Sequence, residues 1–253
     1  MALNPPIEDW RGRRVWLVGA SSGIGAALAE ALVARGARVA VSARSADVLE
    51  SRFGGRARIE PLDVTDARAT AATAARLGSE WGSLDLVIHL AGTYREMRPS
   101  SMDLEAVRAI IELNLTSVFN LLAAALPQMA RGAQVSIVSS VAGYGGLPNS
   151  LAYGASKAAL INLAESLWLD LRARGIGVSV VTPGFVDTPL TARNSFPMPA
   201  LIGAGDAARE MVRGLERGDF ETHFPKRFTL AVKAIGLLPR ALRLRLVRAL
   251  TGR

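Results

Sequence analysis

The chain has 253 residues, half of them hydrophobic, two histidines, no cysteine and a formal net charge of +8. This is enough chain to bury a sizeable core without covalent staples, and the absence of cysteine excludes disulfides, thiolate catalysis and cysteine-ligated zinc. With His89 and His223 the only histidines, a multi-histidine metal site is excluded as well and no metal is expected. The charge is regional: residues 1–221 carry 22 basic and 22 acidic side chains, whereas residues 222–253 carry eight basic ones and no acid. The expected division is therefore 1–225 as a catalytic domain and 226–253 as a basic C-terminal extension.

Met1 to Trp10 has no apolar run of the kind a secretory signal needs, and no stretch of eighteen uncharged apolar residues follows. A cytoplasmic location is expected and no spanning helix. Short apolar runs at Val15–Val18, Val39–Val41, Leu86–Leu90, Val135–Val138 and Val178–Val181, with a weaker one at Ala57–Leu62, predict strands covered on both faces. Helical spacing of Ala, Leu and Glu predicts helices over Ala26–Ala34, Ala67–Leu77, Leu104–Met129 and Ala155–Leu171. Strand and helix in alternation imply an α/β fold with a doubly wound parallel sheet flanked by helices, whose ligands bind at the carboxyl ends of the strands.

The first strand runs into Gly19-Ala20-Ser21-Ser22-Gly23-Ile24-Gly25. Gly19 allows a tight turn, Gly23 lets backbone amides approach a pyrophosphate, and Gly25 lets the following helix pack close to the strand. Strand, glycine turn and helix together point to a dinucleotide site. At the end of the second strand stands Arg44, where a free ribose hydroxyl calls for an acid and a 2′-phosphate for a guanidinium. That favours NADPH over NADH. Further on, a strand ends in Ser139-Ser140, and Tyr153 and Lys157 follow at i, i+4, on one face of a helix. A phenol near pKa ~10 is a poor base at neutral pH. A neighbouring ammonium lowers that value and makes the pair a proton donor and acceptor beside a hydride acceptor.

In combination these motifs resemble the short-chain dehydrogenase/reductase family over roughly residues 11–220, in its single-domain, Rossmann-like branch. The resemblance implies that Gly19, Ser21, Ser22, Gly23, Ile24 and Gly25 form the cofactor turn and that Asp63 and Val64 contact adenine. It makes Asn114 the residue that kinks the long helix and holds a water in the proton relay, and Ser140 the one that polarises substrate. Tyr153 becomes the general acid/base, and Lys157 binds the nicotinamide ribose. Pro183, Gly184 and Thr188 fall beside the carboxamide. Where the family has Asn-Asn-Ala-Gly, this chain has His89-Leu90-Ala91-Gly92. Ala91 and Gly92 keep the backbone approach to the cofactor, and His89 is read as a hydrogen-bonding strand-end residue, with a catalytic base as the alternative.

The implied activity is hydride transfer between NADP(H) and a small-molecule carbonyl or secondary alcohol. The competing class is a catalytically silent dinucleotide-binding regulator attached to a membrane or partner through its tail. An apolar substrate is favoured, with Phe196, Met198, Leu201 and Ile202 of a lid facing Tyr144, Leu147 and Phe185. The apolar surplus of Leu104–Met129 and Ala155–Leu171 suggests a dimer or tetramer. In the tail, Leu242, Leu246 and Leu250 share one helical face with Arg243 inside it. That leaves open peripheral contact at the inner membrane surface or packing on the body or a second subunit, while no nucleic-acid partner is expected.

Overall fold

A computed structural model describes residues 2–194 and 196–252; Ser195 of the expected lid and Arg253 of the tail lie outside the described residues. Seven parallel strands form one sheet in the order β3-β2-β1-β4-β5-β6-β9. They are β1 (Arg14–Val18), β2 (Arg38–Ser42), β3 (Arg58–Ile59), β4 (Leu84–His89), β5 (Met129–Val138), β6 (Gly177–Pro183) and β9 (Glu221–Phe224). A separate two-stranded piece joins β7 (Val186–Asp187) to β8 (Ile202–Gly203).

The continuous apolar runs are explained by burial on both faces. In β1, Val15 and Leu17 point to one core, shared with α1 (Gly23–Ala34), α2 (Ala46–Phe53) and α7 (Ala204–Arg217). Trp16 and Val18 point to the other, shared with α3 (Ala67–Trp81), α5 (Ser117–Ala125) and α6 (Leu151–Leu171). Apolar residues at every position are therefore required, not alternation. Trp16 satisfies its indole N–H inside that core by donating to Ser42 Oγ at 2.9 Å. The chain builds β1 to β3 outward in one direction and then restarts on the other side of β1 with β4. A crevice is left at the carboxyl ends of β1 and β4.

Several elements differ from expectation: α2, α7 and the β7–β8 pair were not predicted, β5 begins at Met129 and not Val135, and three further differences bear on the site. The helix predicted over Leu104–Met129 is divided into α4 (Leu104–Ile111), a π-helical turn over Glu112–Thr116, α5 and a 3-10 turn at Leu126–Gln128. By length and hydropathy Leu104–Gln128 could cross a bilayer, contrary to the sequence expectation, but α5 buries Val118, Leu121, Leu122 and Ala125 in the core. Helix α6 starts at Leu151, four residues before the predicted Ala155, so Tyr153 lies in its first turn. The edge strand β9 was missed because only four residues, Glu-Thr-His-Phe, form it, and their pattern is half polar. Beyond β9 come α8 (Lys226–Gly236) and α9 (Arg240–Leu250).

Candidate active site

The crevice is built on backbone approach. Gly19 has φ +99°, and a Cβ there would lie 2.5 Å from the Ala91 amide nitrogen; at Gly25 it would lie 2.0 Å from the Gly19 carbonyl oxygen. No side chain caps the N-terminus of α1, and its first turn holds no acid. Its free N–H groups and positive dipole end therefore face the crevice, an arrangement suited to a pyrophosphate.

One cleft is lined by Gly19, Ser21, Ser22, Gly23, Ile24, Gly25, Arg44, Asp63, Val64, Ala91, Gly92, Ser140, Tyr153, Lys157, Pro183, Gly184 and Thr188. The structure thus brings together every expected site residue except Asn114, which stands one layer behind. Arg44 is exposed at the end of the cleft that also holds Asp63 and Val64. Asp63 Oδ1 accepts from the Thr65 amide at 3.0 Å and the Thr65 hydroxyl at 2.7 Å. These bonds, with the Arg44 charge, hold the carboxyl below its usual value.

At the other end, Lys157 is 5% exposed and donates from Nζ to the Val138 carbonyl at 2.9 Å. Burial pulls its ammonium down to about 8. Its Nζ lies 5.7 Å from the centroid of the Tyr153 ring. For Tyr153, burial pushes the phenol above its ordinary value, and a hydrogen bond with Ser140 pulls the other way. The lowering expected from the lysine is not seen in the chain alone: the opposing pull comes from Ser140, and desolvation outweighs it. Ser139 Oγ donates to the Lys157 carbonyl at 2.7 Å, tying β5 to α6. It holds structure while Ser140 faces the phenol.

Asn114 sits in the π-helical turn, fully buried. Its Oδ1 accepts from the Thr93 amide at 2.8 Å, and its Nδ2 donates to the Thr93 carbonyl at 2.9 Å and to Ser156 Oγ at 3.2 Å. The widened turn is what lets this amide face the loop after β4. Thr93, Ser156 and Tyr94, whose ring meets Tyr153 edge-on at 5.0 Å, were not singled out from sequence. Tyr94, following directly on Ala91-Gly92-Thr93, was the one with a readable signal.

His89 is buried, with Nε2 2.8 Å from Ser117 Oγ. Because that hydroxyl donates to the Leu113 carbonyl at 2.6 Å, Nε2 is the protonated nitrogen and donates to it. Burial pulls the imidazole down to about 3, and His89 does not line the cleft. It acts as the hydrogen-bonding strand-end residue. None of the seven expected pocket residues, Tyr144, Leu147, Phe185, Phe196, Met198, Leu201 and Ile202, lines the cleft. The Tyr144 hydroxyl is turned away to Thr182 Oγ1, at 2.6 Å, and to Glu221. Phe196 packs on Phe185, ring centroids 6.0 Å apart.

A switch-point crevice with a glycine cradle and a Ser-Tyr-Lys cluster at its far end defines the class: an α/β oxidoreductase built for a nicotinamide dinucleotide. The chain belongs to the short chain dehydrogenase family, whose pattern matches residues 13–197. It is 42% identical over 240 residues to an uncharacterized oxidoreductase of Myxococcus xanthus, covering 91% of this chain and 94% of that one. It is 36% identical over 188 residues to the 3-oxoacyl-acyl-carrier-protein reductase FabG of Escherichia coli, covering 72% and 77%. A crystal structure of a short chain dehydrogenase from Burkholderia cenocepacia in complex with NADP superposes with a TM-score of 0.85 at 29% identity, covering 94% of this chain and 98% of that one.

Proposed function

We propose that this protein is an NADPH-dependent reductase of apolar carbonyl compounds, working in the reverse direction as a secondary-alcohol dehydrogenase. The carrying observation is that Ser140, Tyr153 and Lys157 share one cleft with the glycine turn and Arg44. The NADP in the Burkholderia relative supports the same cofactor. When bound, NADPH supplies a hydride to the carbonyl carbon. The chain's own residues handle the oxygen and its proton. Ser140 donates to the substrate oxygen and orients it. Tyr153, held protonated by burial, gives its proton to that oxygen as negative charge develops. Lys157, at about 8, is a better proton source near neutrality than an ordinary lysine, and it replenishes the phenol. Asn114 keeps the loop carrying Gly92 and Thr93 in register behind the lysine.

Support for an apolar substrate lies in the apolar side chains that line the cleft, among them Leu113, Val138, Val186 and Leu190, while Phe228 packs outside them on Gly184 and on Phe185 at 5.3 Å between ring centroids. A homo-oligomer is proposed through α4, α5 and α6, which leave Leu104, Phe119 and Leu169 half or more exposed. A silent regulator is disfavoured because nothing in the Tyr-Lys pair is lost. A panel of aliphatic, cyclic and acyl-thioester ketones, followed by NADPH consumption with NADH as control, tests the reading. No turnover on any carbonyl with either cofactor would overturn it.

A further inference from the structure

The basic tail is not used by the chemistry, and its packing shows which of its side chains face outward. Several contacts seat it, the Phe228–Phe185 ring pair among them. Lys233 of α8 pairs with Glu221, which also accepts from Tyr144 and Thr182. Thr229 meets His223 Nδ1 at 2.7 Å. Arg243 of α9 lies against Gly145, where an added Cβ would be 3.7 Å from its guanidinium carbon. Gly184, beneath Phe228, and Gly145 belong to the segments that follow Pro183 and Ser140. The tail therefore lies over the reactive end of the cleft.

Most of the tail's other side chains are exposed or only partly covered. Thr229 is the only buried residue of α8, and α9 buries none. The outer face of α8 carries Leu230, 55% exposed, Ala234, and Leu237, 88% exposed, at i, i+4 and i+7, beginning beside Lys226 and Arg227. In α9 the residues turned inward are Arg243, Leu246 and Val247. Leu242 and Leu244 stand exposed on the outer side with Arg245 and Arg248. The expected apolar face of Leu242, Leu246 and Leu250 is thus split between inside and outside. Exposed leucines ringed by cations, with no acid anywhere in residues 222–253, call for a surface that is both anionic and apolar.

We propose that residues 226–252 hold this protein on an anionic lipid surface, leucines seated among the acyl chains and arginines at the headgroups. Charge argues for lipid over a second copy. The body is electrically neutral, and a two-fold contact through the tail would oppose like charges. Neither helix exposes an aromatic ring to stack on bases, which disfavours nucleic acid. The proposal stands whether or not the carbonyl reductase reading holds.

The test is co-sedimentation of the full chain with vesicles of phosphatidylcholine alone and of an equimolar mixture with phosphatidylglycerol. Binding is expected to the mixture at low salt, little to the neutral vesicles, with loss as salt rises. The double variants R245E/R248E and L230D/L237D are each expected to lower binding about tenfold or more, while keeping the parent's thermal melt. No binding to the anionic vesicles, equal binding to neutral ones, or unchanged binding by R245E/R248E overturns the proposal. So does an L230D/L237D variant that changes association state in sedimentation equilibrium but still binds vesicles, since that assigns the leucine face to a second copy.

Discussion

Lys157 spends one ammonium hydrogen on the Val138 carbonyl at 2.9 Å, and this bond fixes where the tyrosine one helical turn earlier can stand. The carbonyl belongs to the last residue of β5, still in register with Val181 of β6. The helix that carries Tyr153 is thereby pinned to the strand that delivers Ser140. The Ser139 bond to the Lys157 carbonyl closes the same junction from the other side. The reactive cluster is thus held by secondary-structure ends, not by a mobile loop.

Replacing Tyr153 with Phe removes the proton donor and keeps the ring that packs on Tyr94. Carbonyl reduction is expected to fall about 100-fold or more, while NADPH affinity, read by quenching of intrinsic fluorescence, changes little. Near-full turnover would remove Tyr153 from the role of acid.

Among the described residues, Arg44 is the one cation lining the cleft near Asp63 and Val64, and the proposed choice of NADPH rests on it. Arg44→Ala should raise KM for NADPH by about tenfold or more through loss of a charge-assisted phosphate contact, with KM for NADH nearly unmoved. Equal effects on both cofactors would show that the guanidinium does not read the 2′-phosphate.

His89 gives a pH signature. Folded, it stays neutral down to about 3; unfolded, it titrates near its ordinary 6.5. The unfolded chain therefore binds the proton first. Stability is lost as pH falls from about 6.5 toward 3, by at most about 1.4 kcal/mol per pH unit from this group. His89→Asn, the residue usual in the family, should flatten that loss in urea unfolding measured across the window. An unchanged slope would mean that His89 is accessible to protons in the folded state.

Phe228 links the tail to the reactive end through Gly184 and Phe185. Phe228→Ala is expected to raise KM for bulky apolar ketones several-fold while leaving KM for NADPH at the parent value. If KM for the cofactor rises instead, Phe228 supports the nicotinamide segment and not the substrate.

Much of the fold and the cleft was legible because each feature rests on a local requirement. A strand covered on both faces must be apolar at every position, so β1, β2, β4, β5 and β6 stood out. Backbone crowding at Gly19 and Gly25 admits only glycine, and the i, i+4 spacing of Tyr153 and Lys157 is a property of one helix. The two-residue β3 and the half-polar β9 carry too few residues for any periodicity to show. The π-helical turn at Asn114 has no sequence period of its own; it is held by bonds to Thr93 and Ser156, each at least 21 residues away.

By itself the sequence determined the class of fold, the glycine cradle, the Ser-Tyr-Lys set and the placement of the whole charge surplus in the last 32 residues. Only the tertiary structure decided how those groups are used. Desolvation, which depends on what packs around a side chain, pulls Lys157 and His89 down and pushes Tyr153 up. Long-range contacts turn Tyr144 away to Glu221, and Arg243 and Lys233 inward. The leucines they leave outside, and not a helical wheel drawn from sequence, define the face the tail presents.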